Sequence, residues 1–281
     1  MSEHVSVPWV QSKKRRHGAA PLVMVTAYDE PWARLVDAAG VDLILVGDTL
    51  AEIVLGYENT LSVGIEQMAH HVGAVARARP RALVIGDLPW MSYHTEVFDA
   101  VRNAAALVRA GAGAVKLEGG RRRLPVVRAI LDAEIPVMGH LGLTPQSVHA
   151  MGGYKVQGRE AAGAEELLAD AVALAETGCF AVVLEGVPDI LADRVTAEID
   201  VPTIGIGAGG GCDGQVLVLH DLLGLSRGPA PKFVRRYADV GTIVSEAVSR
   251  YAADVRSGAF PSDAESYHGS SELKEALAAL P

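Results

Sequence analysis

The chain has 281 residues, 49% of them hydrophobic, and its 25 basic and 34 acidic side chains give a formal net charge of −9 at pH 7. Proteins that bind a phosphate backbone need a clustered positive surface, so this balance argues against nucleic acid as a partner. A chain of this length can bury one large core, and we predict a single domain over residues 1–281 with a short N-terminal extension and a mobile tail from about residue 262.

Eight strands are predicted in chain order from unbroken runs of β-branched and aliphatic residues. They begin near residues 22, 42, 82, 114, 135, 180, 201 and 215. Six stretches between them carry apolar residues at three- and four-residue spacing and are predicted helices: residues 30–39, 65–79, 95–110, 121–133, 161–177 and 188–198. Gly40, Gly111 and Gly178 follow three of these helices, and we expect each to end its helix in a left-handed conformation.

Strands that are apolar without alternation are buried on both faces, as in parallel sheets covered by helices. Eight strand-and-helix units favour a (β/α)8 TIM barrel. A doubly wound open sheet is the alternative, because the glycines of GIGAGG at residues 205–210 formally match a dinucleotide-binding pattern. We predict against it because these glycines lead into another strand instead of a helix. The loop is interpreted as a tight bend, with a phosphate cradle as the alternative.

Five acidic or imidazole side chains occur where five predicted strands end: Asp48, Asp87, Glu118, His140 and Glu185. The carboxyl ends of the strands carry the chemistry in such barrels. Four carboxylates that converge on one rim repel one another unless a cation neutralises them or some stay protonated. Each acid alone could cap the next helix, but capping does not explain their recurrence at one structural position. The pattern therefore predicts a metal-assisted active site.

Lys116 lies two residues before Glu118 and is expected to point to the same side, where its charge offsets some of the repulsion. Oxygen ligands without a thiolate favour Mg²⁺, which usually takes one or two direct carboxylates together with water and substrate oxygens. For His140 three roles stay open: a metal ligand, a donor to the substrate, or a core imidazole with satisfied hydrogen bonds.

Cys179 and Cys212 are too few for a disulfide framework and lack the close spacing of a zinc site, so we interpret both as buried structural thiols. The first residues contain no apolar signal-peptide core, and no segment reaches the roughly eighteen apolar residues of a membrane span. The chain is therefore expected to be soluble and cytoplasmic. The basic residues 13–16 are interpreted as a solvated stretch, with a contact for an anion or a partner as the alternative.

Several longer motifs are informative together: TAYD (residues 26–29), LVGD (45–48), GDLPWMSY (86–93), KLEGG (116–120), PVMGHLGLTPQSV (136–148), LEGVP (184–188), GIGAG (205–209) and CDGQVLV (212–218). In this order they resemble the ketopantoate hydroxymethyltransferase family over about residues 23–260. The resemblance implies a Mg²⁺-dependent TIM barrel of the phosphoenolpyruvate/pyruvate-type superfamily. Such an enzyme transfers a hydroxymethyl group from 5,10-methylenetetrahydrofolate to 2-oxoisovalerate and forms ketopantoate, in pantothenate and coenzyme A biosynthesis.

The same motifs imply a role for the charged residues. Asp48 and Asp87 resemble the direct metal ligands, which also meet the oxoacid, and Glu118 resembles a metal acid that acts directly or through water. Thr49 and Lys116 resemble the residues that bind the oxoacid. Many family members have serine in place of Thr49, and the hydroxyl group is retained.

Glu185 resembles the proton acceptor of the family, and His140 is left as a contact of the substrate or of a metal ligand. The resemblance also implies a homo-oligomer, specifically a decamer. Two alternative functions are considered. A Mg²⁺-dependent oxoacid carbon–carbon lyase or aldolase of the isocitrate lyase type would share the barrel and the metal, but the chain lacks the cysteine loop of those lyases. A non-catalytic barrel that only binds a ligand would not need the converging acids.

Overall fold

The structure is a computed structural model that describes residues 4–14, 18–226, 228 and 230–280. The chain divides into two compact units, one formed by Met1–Leu222 with Ser226–Arg235 and the other by Leu223–Leu225 with Arg236–Pro281. All of the predicted strands and the six predicted helices fall in the first unit. The single domain with a tail from about residue 262 stays a prediction.

The strands of the first unit form a closed barrel in which sequence neighbours pair in parallel and the last strand pairs with the first. They are β1 (Leu22–Thr26), β2 (Leu43–Val46), β3 (Leu83–Asp87), β4 (Ala114–Glu118), β5 (Val137–Gly142), β6 (Ala181–Glu185), β7 (Thr203–Ile206) and β8 (Gly214–Leu217). Every residue of β2, β3 and β4 is buried, which explains why apolar residues follow one another without alternation in LILV of β2 and LVI of β3, while β4 also buries Lys116 and Glu118. The eight predicted strands and the TIM barrel are confirmed.

In the described part of the chain the α-helices are α1 (Val7–Gln11), α2 (Glu30–Ala38), α3 (Leu50–Ile53), α4 (Ile65–Ala76), α5 (Val97–Ala110), α6 (Leu124–Asp132), α7 (Val148–Met151), α8 (Ala161–Thr177), α9 (Asp189–Glu198), α10 (Leu219–Leu222), α11 (Val240–Ser257) and α12 (Ser271–Ala278). The six predicted helices correspond to α2, α4, α5, α6, α8 and α9. The largest differences are that α4 ends at Ala76 and that residues 121–123 form a 3-10 helix before α6.

Local chemistry sets the ends of these helices. The Asp29 carboxylate caps α2 by accepting a hydrogen bond from the backbone N–H of Trp32. Gly111 ends α5 at φ 118°, and Gly178 ends α8 at φ 113°. Gly40, just after α2, has φ 87°. The three predicted left-handed glycines are therefore confirmed.

Helix α1 covers the N-terminal end of the barrel. Val5 and Val10 belong to the same buried apolar cluster as Leu22 and Leu43, the first residues of β1 and β2. The backbone N–H of Val5 also donates to the carbonyl of residue 81, shortly before β3. The apolar residues of the N-terminal extension thus close the end of the core that lies away from the rim.

The interpretation of the basic stretch as solvated is wrong for Lys14. This side chain is 1% exposed, and its ammonium lies 2.8 Å from Asp213 Oδ2. Asp213 is itself buried and needs a compensating charge, which explains why a lysine is buried here. The Lys13 ammonium lies 4.3 Å from the centroid of the Trp9 ring. Residues 15 and 16 lie outside the described residues.

The glycine loop after β7 bends tightly and enters β8 without a helix, as predicted. Gly207 and Gly209 have φ of 63° and 78°, in the left-handed region. A Cβ atom at Gly207 would lie 2.7 Å from the Phe233 ring, and one at Gly209 would lie 2.5 Å from the Cβ of Asp189. Both backbone conformation and space therefore require glycine, which supports the tight-bend interpretation.

The second unit contains α11 and α12, and neither helix has a buried residue. Throughout the described ranges, none of the helices combines the length and the apolar character that crossing a membrane requires.

Candidate active site

The side chains predicted at the strand ends meet at one rim of the barrel. Asp48 follows β2, Asp87 ends β3, Glu118 ends β4, His140 lies within β5, and Glu185 ends β6. All five line one cavity of about 880 Å³, together with Thr49 and Lys116. The convergence that the sequence predicted is therefore present, at the carboxyl ends of the strands.

Parallel pairing places these side chains in layers. Asp87 on β3 is level with Lys116 on β4, and Glu118 is level with His140 on β5. Lys116 and Glu118 are two residues apart on one strand, so both point to the same face. The lysine thus enters the same cavity as the acids, as expected.

Lys116 is the counter-charge of the buried acids. Its ammonium lies 2.8 Å from Asp87 Oδ2, and both side chains are almost fully buried. Burial lowers the pKa of an ammonium, but the charges of Asp87, Glu118 and Asp48 outweigh that effect and raise the pKa of Lys116. Lys116 therefore stays positively charged at neutral pH.

The pKa values of the three buried acids shift in different directions. Burial, followed by the charges of Asp87 and Glu118, raises the pKa of Asp48 well above its usual value. Burial also raises the pKa of Asp87, although Lys116 opposes the effect. Burial acts on Glu118 as well, but His140, Lys116 and a backbone N–H outweigh it, so the pKa of Glu118 is lowered. The acids thus oppose one another's ionisation, and a cation at the rim would favour their charged forms.

His140 lies between two acids. Its Nδ1 is 3.3 Å from Glu118 Oε1 and its Nε2 is 3.2 Å from Glu185 Oε2, at ion-pair distance but without the alignment of hydrogen bonds. Burial and Lys116 lower the pKa of His140, but the two carboxylates outweigh them and raise it to about 9. Both ring nitrogens thus already face carboxylate oxygens of other residues. This arrangement favours a role for His140 as a link between Glu118 and Glu185 over a role as a metal ligand.

Thr49 lines the cavity beside Asp48. Its hydroxyl oxygen is 2.9 Å from the hydroxyl of Tyr28, a buried side chain that was not predicted as part of the site. Burial raises the pKa of Tyr28, so the phenol stays protonated. This hydrogen bond orients the Thr49 hydroxyl at the edge of the cavity.

Gln146 and Tyr93 complete the rim and were also missed. The Gln146 side-chain amide donates to Asp48 Oδ2 at 2.9 Å, and its backbone N–H donates to Glu118 Oε2 at 3.0 Å. The Tyr93 hydroxyl donates to Gln146 Oε1 at 2.6 Å. Both residues lie in the longer motifs of the sequence, but an uncharged amide or phenol between predicted elements carries no pattern that marks it as part of a site.

One carboxylate oxygen indicates a place for a cation. Asp87 Oδ2 faces Lys116 and accepts the Asp48 backbone N–H at 3.2 Å, whereas Asp87 Oδ1 is buried without a hydrogen-bond partner among the described residues. A buried, unpaired carboxylate oxygen is costly and calls for an ion or a water. The described ranges contain no group of three or more His, Cys, Asp or Glu arranged to bind a metal. A hard cation such as Mg²⁺ fits nevertheless, because it needs only one or two carboxylates.

The two cysteines do not contribute to this rim. Both are buried, and neither lines the cavity. Burial raises the pKa of the Cys179 thiol to about 12 and also raises the pKa of Cys212. Because the thiolate is the reactive form, these values support a structural interpretation of both residues.

Comparison with known proteins identifies the family. A family model described as ketopantoate hydroxymethyltransferase matches residues 4–263. A 3-methyl-2-oxobutanoate hydroxymethyltransferase 2 from Bradyrhizobium diazoefficiens is 52% identical over 276 residues, which cover 98% of this chain and 94% of the relative. A 3-methyl-2-oxobutanoate hydroxymethyltransferase from Methylobacterium sp. (strain 4-46) is 56% identical over 256 residues, which cover 91% of this chain and 89% of the relative.

Solved structures agree with the barrel. The crystal structure of 2,3-dimethylmalate lyase, described as a PEP mutase/isocitrate lyase superfamily member, matches with a TM-score of 0.58 and 17% identity, covering 98% of this chain and 95% of that chain. At this identity the likeness concerns the fold alone, and it agrees with the TIM barrel. The family match and the relatives cover nearly the whole chain and confirm the resemblance seen in the sequence. The chain belongs to the ketopantoate hydroxymethyltransferase family and is an enzyme that transfers a hydroxymethyl group.

Proposed function

We propose that this enzyme transfers a hydroxymethyl group from 5,10-methylenetetrahydrofolate to 2-oxoisovalerate, which is 3-methyl-2-oxobutanoate, and forms ketopantoate with the help of Mg²⁺. The observation that carries the proposal is the unpartnered, buried Oδ1 of Asp87 beside the charged ammonium of Lys116. A cation and an ammonium side by side suit a small oxoacid, because its carboxylate is negative and its ketone oxygen becomes negative in the enolate. The names of the relatives support the same substrate.

Asp48 and Asp87 are the residues that would bind Mg²⁺ directly. Glu118 would contribute through a water, because its two oxygens already face Gln146 and His140. When bound, Mg²⁺ supplies a positive charge that polarises the ketone of the oxoacid and makes the neighbouring C–H more acidic.

Lys116 and Thr49 would bind and orient the oxoacid. Lys116 keeps its charge in the buried rim, so it can attract a substrate carboxylate and balance negative charge that develops during the reaction. Thr49 presents a hydroxyl whose orientation is set by Tyr28. These contacts would place the carbon next to the ketone within the cavity.

Glu185 would remove the proton from that carbon. Its side chain is 18% exposed, more than Asp87 or Glu118, and it lines the cavity where a substrate can reach it. The protonated imidazole of His140 lies 3.2 Å from Glu185 Oε2, which leaves Glu185 Oε1 to accept the proton of the substrate. The resulting enolate attacks the methylene carbon of the folate, forming the new carbon–carbon bond, and one of the two carbon–nitrogen bonds of that carbon breaks. Water then replaces the second nitrogen, so its oxygen becomes the new hydroxyl of ketopantoate. The proton taken by Glu185 and one proton of the water end on the two nitrogens of the released tetrahydrofolate.

The two alternative functions lose their support. The isocitrate lyase-type hypothesis depends on the barrel, which many chemistries share, and the structural likeness to a lyase shows the fold alone. The hypothesis of a non-catalytic barrel is wrong, because the chain belongs to a family of enzymes. The homo-oligomer, its decameric form and the cytoplasmic location stay predictions.

The test is a product assay. Purified enzyme is mixed with 2-oxoisovalerate, 5,10-methylenetetrahydrofolate and Mg²⁺, and ketopantoate is followed by mass spectrometry. We expect product only in the complete mixture, loss of turnover with a chelator, and recovery when Mg²⁺ is restored. A complete mixture without ketopantoate would refute the reaction. Full turnover after exhaustive removal of divalent cations would refute the requirement for Mg²⁺.

A further inference from the structure

Gln146 is a buried amide that contacts two rim acids from different strands. It lies in the 3-10 helix Pro145–Ser147, between β5 and α7. Its side chain donates to Asp48, which follows β2, and its backbone N–H donates to Glu118, which ends β4. One residue therefore connects two of the carboxylates proposed to act on the cation.

The partners of this amide fix its orientation. Nε2 donates to Asp48 Oδ2 and also to the backbone carbonyl of Leu88, at 3.0 Å, and a carbonyl can only accept. A flipped amide would turn Oε1 toward these two acceptors, which is unfavourable. Tyr93 contacts the oxygen of the Gln146 amide. Its hydroxyl donates to Oε1 and accepts a hydrogen bond from the Glu118 backbone N–H at 3.1 Å. Every side-chain hydrogen-bonding group of Gln146 is thus engaged.

We propose that Gln146, oriented by Tyr93, is a positioning residue that sets how Asp48 and Glu118 face the cation. The inference rests on the proposed function, because it requires a cation at this rim. By engaging Oδ2 of Asp48, the amide leaves Oδ1 as the oxygen that faces the cation. On Glu118 the backbone N–H engages Oε2 while His140 lies 3.3 Å from Oε1, so that acid acts on the cation indirectly. Partners that orient metal-binding side chains contribute about 10–100-fold to metal affinity.

The first test is Gln146→Leu, titrated with Mg²⁺ alone by isothermal calorimetry. The substitution deletes the amide but keeps the backbone N–H that binds Glu118. The Kd for Mg²⁺ should rise about 10–100-fold. In the product assay, the Mg²⁺ concentration for half-maximal turnover should rise in parallel, while kcat at saturating Mg²⁺ falls much less. Tyr93→Phe should raise the Kd by a smaller factor, because it removes only the group that orients the amide.

The matched control is Gln67→Leu. The Gln67 side-chain oxygen accepts the Gly64 backbone N–H at 3.0 Å at the start of α4, so this variant also loses an amide hydrogen bond. It should unfold at a lower temperature and bind Mg²⁺ with the wild-type Kd. If Gln146→Leu does not fold, Tyr93→Phe, which deletes a single oxygen atom, carries the test.

The outcomes distinguish a failure of the positioning role of Gln146 from a failure of the proposed function. A wild-type protein that binds Mg²⁺, next to a folded Gln146→Leu with the same Kd, would overturn the positioning role and leave the proposed function intact. A wild-type protein that binds no Mg²⁺, even with 2-oxoisovalerate present, would overturn the proposed function and this inference together. A rise in Kd confined to the Gln146 and Tyr93 variants supports the role.

Discussion

Glu185→Gln separates proton removal from binding. The proposed base takes a proton from the carbon next to the ketone, and glutamine has nearly the same shape but cannot accept that proton. With Mg²⁺ and no folate, the wild-type enzyme in deuterium oxide should exchange this hydrogen of 2-oxoisovalerate for deuterium. NMR follows the loss of the substrate signal directly, so no later step of the reaction enters the measurement.

The structure sets the expected size of the effect. The Glu185 side chain is 18% exposed, and its structural contact is to His140, 3.2 Å away. Partly exposed ion pairs contribute only about 0–1 kcal/mol to stability, and the glutamine oxygen can still face the imidazole. The fold and Mg²⁺ affinity should therefore change little. Exchange should fall by roughly 10²–10⁴-fold, the usual loss of a general base, or about 2.7–5.4 kcal/mol in activation free energy.

Glu52→Gln is the matched control. Glu52 lines the same cavity but takes no part in the proposed mechanism, so its variant should exchange at nearly the wild-type rate. A Glu185→Gln enzyme that exchanges normally but makes no ketopantoate would move Glu185 to the folate-dependent steps. A variant that neither exchanges nor binds 2-oxoisovalerate would make Glu185 a binding residue. Either result would refute the assignment as the base.

Three further predictions follow from the buried charges. Asp87→Asn should weaken Mg²⁺ binding measured by calorimetry, and an unchanged Kd would remove Asp87 from the metal site. Lys116→Met should raise KM for 2-oxoisovalerate, lower kcat, or both, whereas unfolding with normal kinetics per folded molecule would make Lys116 a structural counter-ion. Lys14→Met should lower the free energy of unfolding in urea by about 3–5 kcal/mol, because it leaves a buried carboxylate uncompensated. Lys13→Met should cost only about 0.5–1 kcal/mol, and equal losses for the two lysines would contradict this account.

Much of the barrel could be predicted from local sequence. A strand buried on both faces must be apolar at successive positions, as in LILV of β2, and an amphipathic helix must repeat its apolar residues every three or four positions. The acids at the strand ends followed from the same pattern, because parallel strands bring their carboxyl ends together. The long motifs then indicated the family. These signals are readable because each is confined to a few consecutive residues.

Only the tertiary structure decided how the charges are partnered. Lys14 and Asp213 form a buried pair although 199 positions separate them, and Gln146 reaches Asp48 across 98 positions. The protonation of His140 likewise depends on acids from two other strands. Such contacts have no local periodicity, because they arise from barrel closure and from how loops return to the rim. The sequence by itself thus determined the strands, the helices and the kind of chemistry at the rim, whereas the folded barrel decided which side chains orient and balance that chemistry, since desolvation and distance act only after the chain has folded.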